Sequence, residues 1–191
     1  METKIFGDPP SYKASDGQSK KIIIRKIVKS DLKNAVKFQD YINSLIEEEA
    51  KLLMNKKAAI KEEIDFLKSK LNGIKNKTEV ILVAVHNKKI VGLTDIKQGM
   101  WRRNHIGKFG ISVRQGYRGI GLGNYLMSEI IKLAKTELNP KPKMIQLEVY
   151  VNNKPAIALY KKMGFKQVAK LPKQIQHKGK LIDELVMIKF L

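Results

Sequence analysis

The chain has 191 residues, enough for one domain with a hydrophobic core, and its 43% apolar and 29% charged residues are ordinary for a globular protein. With no cysteine it has no disulfide, no thiolate metal site and no cysteine nucleophile. The net charge of +20 is carried almost wholly by lysine, since only Arg25, Arg102, Arg103, Arg114 and Arg118 are arginines.

Such a field draws in anions, a phosphate-rich ligand among them. The lysines are spread along the whole sequence and no nucleic-acid motif accompanies them. They are therefore read as the habit of a lysine-rich proteome, and nucleic acid is not expected as a partner. Residues 1–20 are polar and turn-rich, with no apolar h-region, and are expected to form a flexible tail ahead of one domain over 21–191. The longest apolar runs, Ile22–Ile24 and Val80–Val85, are strand-length. No membrane span is expected, and the cytoplasm is the expected compartment.

In chain order, Ile22-Ile23-Ile24-Arg25-Lys26 reads as a strand. Ser30 and Asp31 precede a helix with Leu32, Ala35, Val36, Phe38 and Ile42 at helical spacing. A second helix is expected from near Glu47-Glu48-Glu49 to about Lys70, ended by Asn72-Gly73. Glu79–Val85 and Ile90–Ile96 form a hairpin around His86–Lys89, Gly99–Asn104 a turn, and Ile106–Val113 another strand. A helix follows Gly121 and closes at Asn139-Pro140. Met144–Tyr150 is a strand and Ala156–Met163 a short helix. Val168–Leu171 and Leu185–Phe190 are the last strands, around a Pro172–Gly179 connection. This α/β (α+β) order predicts a mixed, mostly antiparallel sheet of six to seven strands flanked by four helices, with one parallel pair joined by the helix after Gly121.

The strand ending at Val113 runs through Arg114-Gln115-Gly116-Tyr117-Arg118-Gly119-Ile120-Gly121-Leu122-Gly123 into that helix. Consecutive backbone N–H groups at a helix N-terminus make an anion site. Spacing excludes two phosphate motifs. A dinucleotide fingerprint needs glycine where Asn124 or Leu126 stands, and a P-loop needs lysine where Leu122 stands. The acyl-CoA signature Arg/Gln-x-x-Gly-x-Gly/Ala is met by Arg118, Gly121 and Gly123.

A second motif lies about thirty residues on, where Asn153, Ala156, Leu159, Tyr160, Lys162, Gly164 and Phe165 match Asn-x-x-Ala-x-x-Leu-Tyr-x-Lys-x-Gly-Phe. With both motifs in order, residues 22–191 resemble the GNAT superfamily of N-acetyltransferases. The resemblance implies a GNAT fold with a splayed parallel central pair, and acetyl-CoA as the cofactor. Pantetheine would pair with backbone around Ile111, Ser112 and Val113. The N–H groups of Arg118, Gly119, Ile120, Gly121, Leu122 and Gly123 would hold the pyrophosphate. Asn153, Ala156 and Tyr160 would meet the cofactor from the second motif.

The implied reaction is direct attack of a primary amine on the acetyl thioester. The amine must be neutral, the thioester oxygen stabilised and the thiolate protonated. A backbone N–H near Val113 suits the second need and Tyr160 the third, although helical spacing alone would place Tyr160 in the core. Glu148, twelve residues before Tyr160, has the Glu–Tyr spacing of relatives that acetylate protein N-termini, with the glutamate as base. Relatives with a glutamate on the preceding strand carry it where this chain has Gly107, so that variant is departed from. His105 lies nearby.

The acceptor, whether protein N-terminus, amino acid or polyamine, is expected between Ile42–Glu49 and Pro172–Gly179. Glu47, Glu48 and Glu49 would draw a cation there, or else serve a helix's first turn and pair with Lys51. Trp101-Arg102-Arg103 is read as a ligand contact or an exposed hairpin turn. A homodimer is left open. The competing readings are a non-catalytic acyl-CoA-binding regulatory module and a basic nucleic-acid-binding protein.

Overall fold

The computed structural model describes residues 22–191, together with the backbone of Tyr12–Lys13 and Ser19–Lys20. The tail expected over 1–20 lies outside the described residues, save for the antiparallel pairing of those two short segments. The sheet strands are β1 (Ile23–Lys26), β2 (Glu79–His86), β3 (Lys89–Gln98), β4 (Ile106–Val113), β5 (Met144–Tyr150), β6 (Lys166–His177) and β7 (Lys180–Phe190). The helices are α1 (Ala35–Glu47), α2 (Ile60–Lys75), α3 (Leu122–Glu137) and α4 (Lys154–Lys162). The seven strands lie in the order β1-β2-β3-β4-β5-β7-β6. All neighbours are antiparallel except β4 and β5, which α3 connects.

The apolar run of β2 is explained by burial on both faces. Val80, Leu82 and Ala84 pack with α3 in one core, while Ile81 and Val83 pack with α1 and α2 in the other. Fully burying each aliphatic chain contributes roughly 1.5–3 kcal/mol, so one strand anchors both layers. β5 turns Leu147 and Val149 toward α3 and α4 and the exposed Glu148 to the side of α1 and α2, where Tyr150 is covered by the segment that follows α1.

Three expectations are corrected. Glu47-Glu48-Glu49 does not start the second helix: it ends α1, and residues 48–59 form an irregular link before α2. The three acids serve tertiary ion pairs instead of a helix's first turn, Glu47 with Lys57, Glu48 with Arg118 and Glu49 with Lys178. Leu53, inside the span expected to be helical, is 78% exposed in that link. Second, Asn72-Gly73 does not end α2, which continues to Lys75. Gly73 is a site of close approach, since a Cβ there would lie 2.7 Å from Glu79 Oε2. Third, Pro172–Gly179 is not a loop. β6 and β7 run on to a tight turn at Lys178-Gly179, and the proline is absorbed where their register slips between Leu171 and Ile175.

Candidate active site

The parallel ladder between β4 and β5 is short. Ile106 pairs with Met144, Gly107 with Ile145 and Lys108 with Gln146, and there it stops. Beyond this vertex β4 stays with β3 to Val113 while β5 stays with β7 to Tyr150, so the two strands diverge. The backbone alternation decides what lines the opening. Ile106 O accepts from Gly99 N–H and Arg114 N–H donates to Val91 O, so even-numbered residues of β4 turn their polar groups to β3. His105 O accepts from Lys143 N–H on the other side. Past the vertex, the N–H and C=O groups of Ile111 and Val113 therefore face the opening, about 6.8 Å apart along the strand. That spacing suits the amides of an extended chain.

At the wide end lies the glycine turn. Gly116, Gly119 and Gly121 have φ of 81°, 77° and 87°, the left-handed region that glycine occupies at no steric cost. A Cβ at Gly116 or Gly119 would meet nothing within 4 Å, so both border open space. Among the described residues the N–H groups of Arg118 through Gly123 donate to no backbone carbonyl. The turn leads directly into the N-terminus of α3, whose N-cap position is Gly121.

Sequence reasoning missed how this turn is braced. Glu48 at the end of α1 accepts from the N–H of Gln115 at 3.1 Å and from the Arg118 guanidinium. Arg118 Nε also donates to Val113 O at 2.7 Å. The side chain of Arg118 therefore ties the turn to α1 and β4. Ser112 likewise faces α1, where its hydroxyl bonds that of Tyr41 at 2.9 Å. Arg114 lies over the Tyr41 ring and donates to Asp40 at 2.8 Å. Burial raises the Tyr41 phenol well above its ordinary value, opposed by Ser112 and Arg114.

Glu148 and Tyr160 lie on opposite faces of the sheet, with the opening between them. Tyr160 is 7% exposed and packs with Phe109, the first residue past the vertex, and with Phe165 at ring distances of 6.2 and 6.1 Å. Its hydroxyl has no hydrogen-bond partner among the described residues, and burial pushes its pKa up to about 12. On the other face Glu148 accepts from Lys108 Nζ at 2.8 Å, a bridge from one lip of the opening to the other, and from Gln146 Nε2 at 2.7 Å. Glu184 on β7 shares this face and was not foreseen, because only the register of β7 places it opposite Tyr150. Burial raises its carboxyl, as does the Glu148 charge, while Lys108 lowers it. Asn153 opens α4 with its side chain bonded to nothing among the described residues, and Ala156 follows half-buried against the core. His105 sits at the far end of β4, behind the vertex and away from the opening.

The link over residues 48–59 closes over this face. Tyr150 donates to Leu52 O at 2.5 Å and Lys51 to Asn152 O at 3.1 Å. Glu49 pairs with Lys178 at the β6–β7 turn, which brings together the two segments expected to flank the acceptor. Lys51 thus serves the strand end rather than Glu47 or Glu48. Among the described residues there is no cluster of side chains suited to a metal ion. No helix there is long and apolar enough to cross a membrane.

The profile described as "Acetyltransferase (GNAT) family" matches residues 44–165. An L-amino acid N-acetyltransferase of Escherichia coli is 36% identical over 107 residues, 56% of this chain and 65% of the relative. An N-alpha-acetyltransferase of Sulfurisphaera tokodaii is 38% identical over 79 residues, 40% of this chain and 45% of the relative. The chain thus spans less than two thirds of these relatives' length. The crystal structure of a GNAT-family acetyltransferase from Streptococcus pneumoniae superposes with a TM-score of 0.77 and 26% identity, covering 89% of this chain and 99% of that one. A Salmonella typhimurium structure, described as a putative acetyltransferase with its cofactor acetyl-CoA, superposes with a TM-score of 0.74 over 89% of this chain and 94% of its own. At 18% identity it shares the fold alone.

Proposed function

This chain belongs to the acetyltransferase (GNAT) family, and we propose that it is an acetyl-CoA-dependent N-acetyltransferase acting on the α-amine of an amino acid or a peptide N-terminus. The observation that carries the reading is the ladder that stops at Lys108 and Gln146 and leaves backbone groups of β4 facing an opening that ends at a glycine turn whose N–H groups have no backbone acceptor among the described residues. These residues fit a coenzyme A ester. The N–H groups of Ile111 and Val113 match an extended diamide, and the glycine turn with the α3 N-terminus matches a pyrophosphate. Ala156 packs beside the opening, and Asn153 has a free amide at the start of α4.

Bound there, acetyl-CoA supplies an activated acyl group with a thiol as leaving group. The N–H of Val113 is a fixed donor for the oxygen that gains charge. Tyr160 approaches from the face of α3 and α4 and, with its pKa near 12, keeps its proton at neutral pH until a thiolate takes it. From the opposite face Glu148 takes a proton from the incoming amine, and the Lys108 bridge fixes its position beside the opening.

The α-amine is favoured on two grounds. An α-amino group has a pKa of about 8, against about 10.4 for a lysine side chain, so a larger share is neutral at pH 7. The two curated relatives are named for α-amine substrates. Glu148 and Glu184 give the entrance an acidic face that attracts an ammonium group before it is deprotonated.

The test is release of coenzyme A thiol from acetyl-CoA against amino acids, peptides with free N-termini, the same peptides N-acetylated, polyamines and aminoglycosides. Turnover is expected with free α-amines and not with N-acetylated, lysine-bearing peptides. Turnover confined to polyamines or aminoglycosides would overturn the acceptor. Calorimetric binding of acetyl-CoA with no thiol release on the whole panel would leave the regulatory-module reading instead.

A further inference from the structure

Lysines dispersed in the sequence converge in the fold. The turn between β3 and β4, the end of α2 and the segment entering β5 meet at the end of the sheet away from the opening. Backbone bonds knit them there: Gly99 N–H to Ile106 O, Gln98 N–H to Thr78 O, Asn139 N–H to Lys77 O and Lys143 N–H to His105 O. Trp101 stands at the tip, 84% exposed, with φ of 51°, a conformation that bulky L-residues rarely adopt.

The arginines at this end differ from those elsewhere. Three of the five arginines are committed to carboxylates, Arg25 to Asp31, Arg114 to Asp40 and Arg118 to Glu48. Arg102 and Arg103, adjacent to Trp101, are both exposed, and neither has a carboxylate partner among the described residues. The same holds for Lys77, Lys141 and Lys143. Nearby acids are already engaged, Glu79 with Lys70 and Glu137 with Lys26. Glu49, Glu148 and Asp183 lie instead around the acyl site.

We propose that this end of the sheet is a docking surface for unpaired RNA, with a base stacked on Trp101 and phosphates on Arg102, Arg103, Lys77, Lys141 and Lys143. A duplex keeps its base faces to itself, whereas the unpaired bases of RNA loops stack on exposed aromatic rings and guanidinium planes. Arginine forks fit phosphate oxygens two at a time. The surface is separate from the acyl site, so binding here and acetyl transfer stand or fall independently.

The experiment uses the full chain and a fluorescein-labelled oligoadenylate RNA about 12 nucleotides long, followed by anisotropy between about 50 and 200 mM salt. Each phosphate neutralised contributes about −0.7 to the slope of log affinity against log salt, so the pair Arg102→Gln/Arg103→Gln should flatten it by about 1.4. Trp101→Ala should weaken binding roughly 5- to 150-fold, and Trp101→Phe should retain most of it. Lys88→Gln/Lys89→Gln removes the same charge from the β2–β3 turn and should leave affinity near wild type. Trp101 is the chain's one tryptophan, so stacking should quench its emission in step with the anisotropy. Circular dichroism and melting temperature should not change, because every altered side chain is exposed.

RNA binding without quenching would overturn the proposal. So would equal losses from the arginine and lysine pairs, or a duplex bound as tightly as the single strand. Trp101-dependent binding to phosphatidylserine vesicles, with RNA unaffected by the same change, would assign the surface to a membrane instead.

Discussion

Replacing Tyr160 with phenylalanine separates the two things its hydroxyl does. The ring stays against Phe109 and Phe165, and one hydroxyl with no protein partner among the described residues is lost. That hydroxyl makes no bond within the described protein, so at pH 7 the variant should be about as stable as wild type. In alkali the two should part. An unfolded phenol ionises near 10.0 and the folded one near 12. A raised folded pKa gives stability that is fully present below the unfolded value and is lost as pH rises through the folded one. At about 1.36 kcal/mol per pH unit, wild type should lose about 1.4 kcal/mol more than the variant at pH 11, approaching a limit of about 2.7. The remaining tyrosines and lysines titrate in both proteins, so the difference isolates Tyr160. Urea melts at pH 7, 9, 10 and 11 measure it, and parallel stability curves would refute the burial argument. Turnover with an α-amine should fall about 10²- to 10⁴-fold with little change in KM for acetyl-CoA. An unchanged kcat would remove Tyr160 as proton donor.

Other perturbations address other parts of the structure. Glu148→Gln should lower kcat/KM by about 10²- to 10⁴-fold and alter its pH profile, and a profile identical to wild type would exclude Glu148 as the base. Glu63 in α2 is a buried carboxyl that burial pushes up to about 7. Its contribution is fully present below 4.5 and lost as pH rises through about 7, so Glu63→Gln should match wild type at pH 4.5 and exceed it by about 1–3 kcal/mol at pH 8 in chemical denaturation. Lys70→Met strands Glu79 and Asp95, which share its ammonium, and should cost about 3–5 kcal/mol in the same assay.

Much of the site was legible because its chemistry is local. A strand, a glycine turn and a helix start are contiguous, so Arg118 to Gly123 could be read as an anion site before any packing was known. Alternation along a strand sets Glu148 opposite Leu147 and Val149, and helical spacing placed Tyr160 toward the core. Those periods are properties of the backbone alone. The run from Val80 to Val85 likewise had the length of a strand, and the structure buries it on both faces.

What the sequence could not reach are pairings between distant segments. Glu48 looked like part of a helix start because its charge suits one, yet it ends α1 and holds Arg118, seventy residues away. Glu184 enters the site only through the register of β7 against β5, and Lys108 meets Glu148 only because β4 and β5 run parallel to that point and then part. The same limit applied to charge. Along the chain the lysines looked evenly spread, while in space three segments bring free cations around Trp101. Local geometry is written into the order of residues, and long-range geometry is settled by which surfaces bury one another best. The order of strands and helices and the glycine turn were therefore determined by the sequence alone, and the tertiary structure decided where α2 begins and ends, how far β6 and β7 run, and which side chains face the opening.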